Sequence, residues 1–255
     1  MALAKSDLGK GPAAARAMLQ RQDVDGIEFA RPKLDDLPYN DLVHALMARQ
    51  GFRLDFRAQE PDGALAMIAD QLLGPGTFLR ERALLAEEIA VLKAFAAALV
   101  SGPPPLVAIR TYFAPGDLVW HVDRMGEAAS FRLLWALGRP AGMRITPATN
   151  IDHAAYRAFM RREQALLNQL DTRVLRDKAD LRVAWSHRPR QVEAMMTGDF
   201  PFLFDPAHEM EVTPGAASIH RVETPQQSGT YHRSSWDNHL NPGFQIVITA
   251  SGERA

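Results

Sequence analysis

The sequence predicts an α+β protein: a helical N-terminal region, residues 1–105, packed outside a β-sandwich or jelly roll formed by residues 106–255. Three observations predict it. Apolar residues recur at helical spacing in several segments before Val100. The run Ser101-Gly-Pro-Pro-Pro105 then ends all helix. Beyond it, short strand-like runs follow one another at near-regular intervals, split by Gly/Pro turns.

The elements follow in order. Ala13–Gln20 is a short helix candidate, and Pro32 and Pro38 break the stretch after it. Asn40 is placed to cap a helix over Asp41–Arg49. Gly63–Leu73 is amphipathic and stops at Gly74-Pro75-Gly76. Thr77 is placed to cap the longest helix, Phe78–Val100, whose Leu84, Leu85, Ile89, Leu92, Phe95 and Leu99 fall near a 3.6 period. Strands are expected at Leu106–Phe113, Leu118–Asp123 and Ser130–Leu137. A helix inserted over residues 151–170 follows, then strands at Leu181–Ser186, Phe200–Asp205, Glu209–Val212, Ala216–Val222, Thr230–Trp236 and Phe244–Ala250. A helical region covering one sheet leaves the mouth of such a roll open.

Composition removes several classes. With no cysteine, disulfides, zinc–thiolate sites, iron–sulfur clusters and thiol catalysis are excluded. A net charge of -1 provides no global field for nucleic acid or an anionic membrane. The apolar run Ala83–Val100 carries Glu87, Glu88 and Lys93, so it reads as a globular helix and not a membrane span. The start, Met-Ala-Leu-Ala-Lys-Ser-Asp, has no apolar signal core, and a cytoplasmic location is the expectation. Neither glycine-containing turn, Gly74-Pro-Gly76 nor Gly138–Gly142, is followed by Lys-Ser/Thr, which argues against a phosphate-cradling loop.

The chemistry concentrates in three places. His121 and Asp123 alternate on one strand and project from the same face, their Cα atoms roughly 6.5 Å apart. Val122 between them turns away into packing. A His-x-Asp step alone is weak, since roughly 0.6 are expected by chance in a chain of this composition; its weight comes from its company. His220 sits on a later strand after a Pro-Gly turn, and two imidazoles with one carboxylate form a facial set suited to non-haem iron. Arg233 and Ser235 alternate on the following strand. The planar fork of a guanidinium matches a carboxylate, and a hydroxyl adds a donor. Pairing of Arg233 with a local acid such as Glu223 or Asp237 is the competing reading. On this parity His232 points the opposite way, into packing or to the surface, and Trp120 is core.

Together these residues resemble the iron(II)/2-oxoglutarate-dependent dioxygenase superfamily, whose core is a double-stranded β-helix. The matching steps are His121-Val-Asp123, His220-Arg221-Val222 and Arg233-Ser234-Ser235, in that order. In the branch containing isopenicillin N synthase-like enzymes, a His-Arg-Val step precedes an Arg-x-Ser pair. The resemblance covers roughly Leu106 to Ala250. It implies Fe(II) held by His121, Asp123 and His220, and 2-oxoglutarate with its far carboxylate on Arg233 and Ser235. Tyr112 and Arg132, on flanking strands, are implied contacts of the cosubstrate. It further implies dioxygen and a small-molecule or amino-acid-like substrate that undergoes hydroxylation or related C–H oxidation. If the last strand is Phe244–Ala250, the arginine position falls on Gln245, and Arg132 or Arg110 would have to substitute. Two alternatives stay open: a metal-binding jelly roll without turnover, and an Fe(II) oxidase independent of 2-oxoglutarate.

Overall fold

The computed structural model describes the whole chain except residues 1, 22, 50–53, 59, 113–117, 126–128, 170–188, 239–240, 242 and 255. Its helices in the first hundred residues are α1 (Gly11–Gln20), α2 (Asn40–Ala48), α3 (Pro61–Leu73) and α4 (Leu79–Ala97). Each buries a stripe set by the helical period: Leu42, Val43 and Leu46 in α2, and Leu85, Ile89, Leu92 and Phe95 in α4. Asn40 is the first residue of α2 and not its cap; its amide donates to the Asp35 carbonyl at 3.2 Å. Thr77 does not cap α4 either. Its hydroxyl bonds the Gly74 carbonyl at 2.9 Å and accepts from Arg82, which also reaches Asp70 at 2.6 Å. The buried Arg82 thus ties the end of α3 to the start of α4.

The expectation of mainly helix and loop before residue 105 is corrected. Among the described residues four strands lie there: β1 (Ala2–Ser6), β2 (Val24–Phe29), β3 (Leu54–Ala58) and the two-residue β4 (Val100–Ser101). In β2 every residue is buried, so the two-residue alternation that marks a half-exposed strand is missing from the sequence. The remaining described strands are β5 (Leu106–Tyr112), β6 (Ala129–Leu137), β7 (Met143–Thr146), β8 (Met210–Glu211), β9 (Ala217–Arg221), β10 (Tyr231–Ser234) and β11 (Gly243–Arg254). The large sheet runs β1-β2-β9-β6-β11-β5-β3, with β4 also on β11, and the small one runs β10-β7-β8. His121 bridges antiparallel to His232 and so extends the small sheet past β10. From β5 onward the chain passes between the sheets, with β5, β6, β9 and β11 in the large one and the His121 segment, β7, β8 and β10 in the small one. This interleaving is a double-stranded β-helix.

Two expected strands are largely absent. Leu118–Asp123 contributes one bridge, and Phe200–Asp205 consists of turns with one bridge between Ile151 and Leu203. Leu181–Ser186 lies outside the described residues. The inserted helix is α5 (His153–Gln169), and a further helix, α6 (Pro189–Thr197), follows. No described helix is long and apolar enough to cross a membrane.

Alternation on the large sheet positions the site. Phe131, Leu133, Trp135 and Leu137 of β6 and Phe244, Ile246 and Ile248 of β11 face outward and join the core built with α2, α3 and α4. Between them Arg132, Leu134 and Ala136 of β6, and Gln245 and Val247 of β11, face the interior of the roll. A second cluster, with Trp120, Phe200, Phe202, Tyr156 and Tyr231, packs the small sheet against α5 and α6. Several of its rings meet edge to face, as with Tyr156 and Phe202 at 5.2 Å and 85°. Ile246 has no exposure at the centre of the outer face. Ile246→Ala is therefore expected to cost about 2–5 kcal/mol by loss of buried methyl groups and the cavity left behind. Urea unfolding measures it, and a loss under about 1 kcal/mol would contradict this packing.

Candidate metal centre

Backbone pairing sets two imidazoles face to face. His121 N–H donates to the His232 carbonyl at 3.0 Å, and His232 N–H returns to the His121 carbonyl at 2.9 Å. Their rings lie 4.3 Å apart. Asp123, two residues beyond His121, projects to the same side, while Val122 packs into the second core as alternation requires. Ligand atoms of His121, Asp123 and His232 all lie within 4.8 Å of one another, which could hold a metal ion.

Hydrogen bonds orient this set. The Nδ1 of His121 lies 3.0 Å from the Val119 carbonyl, and that of His232 lies 3.1 Å from the Thr230 carbonyl. A carbonyl only accepts, so each Nδ1 carries the proton and each Nε2 keeps its lone pair for a ligand. The Nε2 of His232 stands 3.5 Å from Asp123 Oδ2. Oδ1 of the same carboxylate is paired with Arg132, and Oδ2 is buried without a hydrogen-bond partner among the described residues. An orphaned carboxylate oxygen between two oriented imidazoles fits a divalent first-row metal with nitrogen and oxygen ligands.

Electrostatics keeps His232 and Asp123 in their ligating forms. Burial pushes His232 well below its ordinary pKa, and His121 and His220 push the same way. Burial opposes charge on Asp123, but His220, His232 and Arg132 outweigh it and hold the carboxyl far below the usual carboxylate range. Neutral imidazole and ionised carboxylate are the states a metal requires.

His220 stands beside this set but is held differently. It lies on β9, between Gly26 of β2 and Arg132 of β6, and is 1% exposed. Its Nε2 is also 3.5 Å from Asp123 Oδ2, yet neither ring nitrogen has a hydrogen-bond partner among the described residues. No carbonyl fixes its tautomer. The three-residue group that geometry brings together has His232 where the sequence reading put His220.

The cosubstrate residues read from sequence also separate. Arg233 borders the cavity, but its guanidinium reaches Glu209 at 3.1 Å and lies over the rings of Trp120 and Phe200 at 5.3 and 5.2 Å. It already has a buried carboxylate. Ser235 turns to Asp237, 3.3 Å away. Arg132 faces the cavity but pairs with Asp123, and Tyr112 ends β5 opposite Gly243 with a side chain outside the described set. The physical reason is strand order. Arg233 lies on β10 of the small sheet, whereas the last strand of the roll is β11 in the large one.

A cavity of about 340 Å³ runs from His121, Asp123 and His232 to Arg110, Arg139 and Gln245. Arg110 of β5 is in register with Gln245 of β11, so both sit side by side on its floor. Arg139 lies across the start of β11 and donates to Ser234 at 3.2 Å. Gly243 makes this possible, because a Cβ there would stand 2.2 Å from Arg139 Nε. Asn238 closes this end, its amide bonding Ala141 and Ser234 at 2.9 and 3.1 Å. Asp123 is the only acid among the described lining residues, against four arginines.

Fold and donor set together define a jelly roll, a double-stranded β-helix, with a candidate metal centre between its two sheets. Among solved structures, the chain is similar to the dioxygenase for auxin oxidation 1 from Arabidopsis thaliana, determined as a binary complex with 2-oxoglutarate. That likeness has 9% identity and a TM-score of 0.48 over 98% of this chain and 93% of that one. It is also similar to the rice dioxygenase for auxin oxidation, at 12% identity and a TM-score of 0.44 over 99% and 84%. No family model and no curated protein sequence matches the chain.

Proposed function

We propose that this chain is an Fe(II)- and 2-oxoglutarate-dependent oxygenase acting on a small molecule. The observation that carries the reading is the convergence of His121, Asp123 and His232 at one end of a cavity whose other end is cationic. His121 and His232 would hold the metal through Nε2 and Asp123 through Oδ2. When bound, Fe(II) with the cosubstrate and dioxygen supplies C–H oxidation coupled to oxidative decarboxylation.

The chain's own residues divide the remaining tasks. Arg132 neutralises the second oxygen of Asp123 and fixes the plane of the carboxylate. Arg110 and Gln245, aided by Arg139, would receive the far carboxylate of 2-oxoglutarate, a guanidinium and an amide replacing the Arg233–Ser235 pair. Leu134 and Ala136 on the floor between the two ends exclude water from the cosubstrate's methylene groups. Arg233 is engaged with Glu209 and shapes the wall.

The test is anaerobic. Fe(II)-loaded protein titrated with 2-oxoglutarate is expected to develop a weak metal-to-ligand charge-transfer band in the visible, saturating at one equivalent per chain. Admitting oxygen should then release carbon dioxide. Fe(II) binding without that band would sink the 2-oxoglutarate reading and leave an oxoglutarate-independent oxidase or a metal-binding roll.

A further inference from the structure

A groove of about 420 Å³ lies behind the metal-ligand segment, lined by Val122, Arg124, Tyr156, Arg157, Met160 and Arg161. Residue parity puts it there. His121 and Asp123 project to the metal side, so Val122 between them turns to the other face, where the groove is. Both walls are fixed. On one, Glu223 N–H donates to the Asp123 carbonyl at 2.7 Å and Met125 N–H to the Glu223 carbonyl at 2.9 Å, which holds the chain on either side of Arg124. On the other, Asp152 accepts from the N–H groups of Ala154 and Ala155 at 2.9 and 3.0 Å at the start of α5. Tyr156 then locks the helix, its ring edge to face with Phe202 and Tyr231 at 5.2 and 5.3 Å.

Apolar surface and charge divide within the groove. Val122, Tyr156 and Met160 belong to the second core and form an apolar floor. Arg157 and Arg161 are exposed and four residues apart, one turn along the same face of α5. Like charges at that spacing repel, and Arg124 adds a third guanidinium, 70% exposed, from the ligand segment. Burial and Glu223 raise the pKa of the Tyr231 hydroxyl while Arg124 and Arg157 oppose the rise, so cations from both walls act on one spot. Glu223 pairs with Arg124, and no acid is among the described lining residues. Three guanidiniums against that one carboxylate leave two positive charges for a ligand to balance. The sequence around α5 strengthens this field. Residues 153–190 hold nine of the 29 lysines and arginines and four acids, a surplus of five, while the rest of the chain has six more acids than bases. The volume suits a molecule of metabolite size.

We propose that this groove binds a soluble phosphate monoester with an apolar body, the phosphate among Arg124, Arg157 and Arg161 and the body on Val122, Tyr156 and Met160. A phosphate monoester carries close to two negative charges at neutral pH and three acceptor oxygens, which matches both the charge left over and the guanidinium forks. Such an anion also relieves the repulsion between Arg157 and Arg161. This binding needs neither metal nor 2-oxoglutarate and stands whatever the roll oxidises.

The test is calorimetry on the full chain, metal-free in chelator. The titrants are phenyl phosphate, its singly charged methyl ester methyl phenyl phosphate, and inorganic phosphate. Phenyl phosphate should bind saturably, one per chain, with a Kd below about 1 mM. The methyl ester, which loses a charge, and inorganic phosphate, which lacks the apolar body, should each bind about tenfold more weakly. Arg157→Gln and Arg161→Gln should each weaken phenyl phosphate binding by about tenfold, while Arg80→Gln, at an exposed position on α4, leaves it unchanged. Glutamine is a good helix former at an exposed site, so both α5 variants are expected to fold, which a thermal melt checks. Vesicles of phosphatidylcholine containing phosphatidic acid, a monoester held in a bilayer, should not retain the protein. No saturable binding of phenyl phosphate overturns the proposal. So does equal binding by the methyl ester or by inorganic phosphate, binding that survives both α5 substitutions, or an equal loss in Arg80→Gln. Retention on the vesicles without binding of phenyl phosphate would replace the soluble ligand by a membrane surface.

Discussion

Replacing His232 by alanine is expected to weaken divalent metal binding by more than about a hundredfold, while His220→Leu weakens it by no more than about tenfold. The two histidines lie at the same 3.5 Å from Asp123 Oδ2, so distance alone does not separate them. Orientation does. The proton of His232 is committed to the Thr230 carbonyl, which leaves Nε2 as a lone pair, and the facing His121 is held in the same way by Val119. A ligand so prepared loses little freedom on binding, and removing it takes away one of three bonds. The effect should exceed the ten- to hundredfold typical of outer-shell partners.

Leucine is chosen at position 220 because that site is sealed, and a side chain of similar volume avoids a cavity. It also removes two ring nitrogens without hydrogen-bond partners among the described residues, so stability should not suffer. Cobalt(II), as an oxygen-stable reporter, gives the affinity of each variant by its visible absorption. If His220→Leu abolishes binding and His232→Ala does not, the ligand set is the one first read from the sequence.

That pair also marks where the sequence stops speaking. His121 and Asp123 were legible because both lie on one short segment and a two-residue spacing shares a face whichever way that face points. The third histidine depends on which of two strands faces the metal. Alternation gives relative facing only: if Arg233 points inward on β10, His232 points outward. The usable signal was Phe244–Ala250, readable as the last strand. Taking it as the final strand of the roll makes β10 the one before it and frees His232 to face inward. The helices were legible from their apolar period, whereas β2 was not, because its burial on both faces erases alternation. Trp120, next to His121 and so on the opposite face, is core on parity alone, and Arg233 lies over its ring.

Arg110→Met should weaken 2-oxoglutarate binding by about tenfold to a hundredfold and leave metal affinity unchanged, because it removes a charge-assisted contact of about 1.5–3 kcal/mol from the far end of the cavity. Arg233→Met should do the reverse. Its guanidinium and the Glu209 carboxylate are 3% and 7% exposed, and removing one member leaves the other charge buried. Breaking such a pair costs about 3–5 kcal/mol of stability, with Arg144, 3.3 Å from the same carboxylate, pulling the value toward the lower end. Cosubstrate affinity should survive, since Gln245 and Arg110 lie side by side on β11 and β5, away from the small sheet. The charge-transfer titration of Fe(II)-loaded protein gives affinity, and urea unfolding gives stability, for both variants. A collapse of 2-oxoglutarate affinity in Arg233→Met, with Arg110→Met behaving as wild type, would move the carboxylate site back to β10. Loss of affinity in both would mean that the cosubstrate lies across the cavity and displaces Glu209 from Arg233.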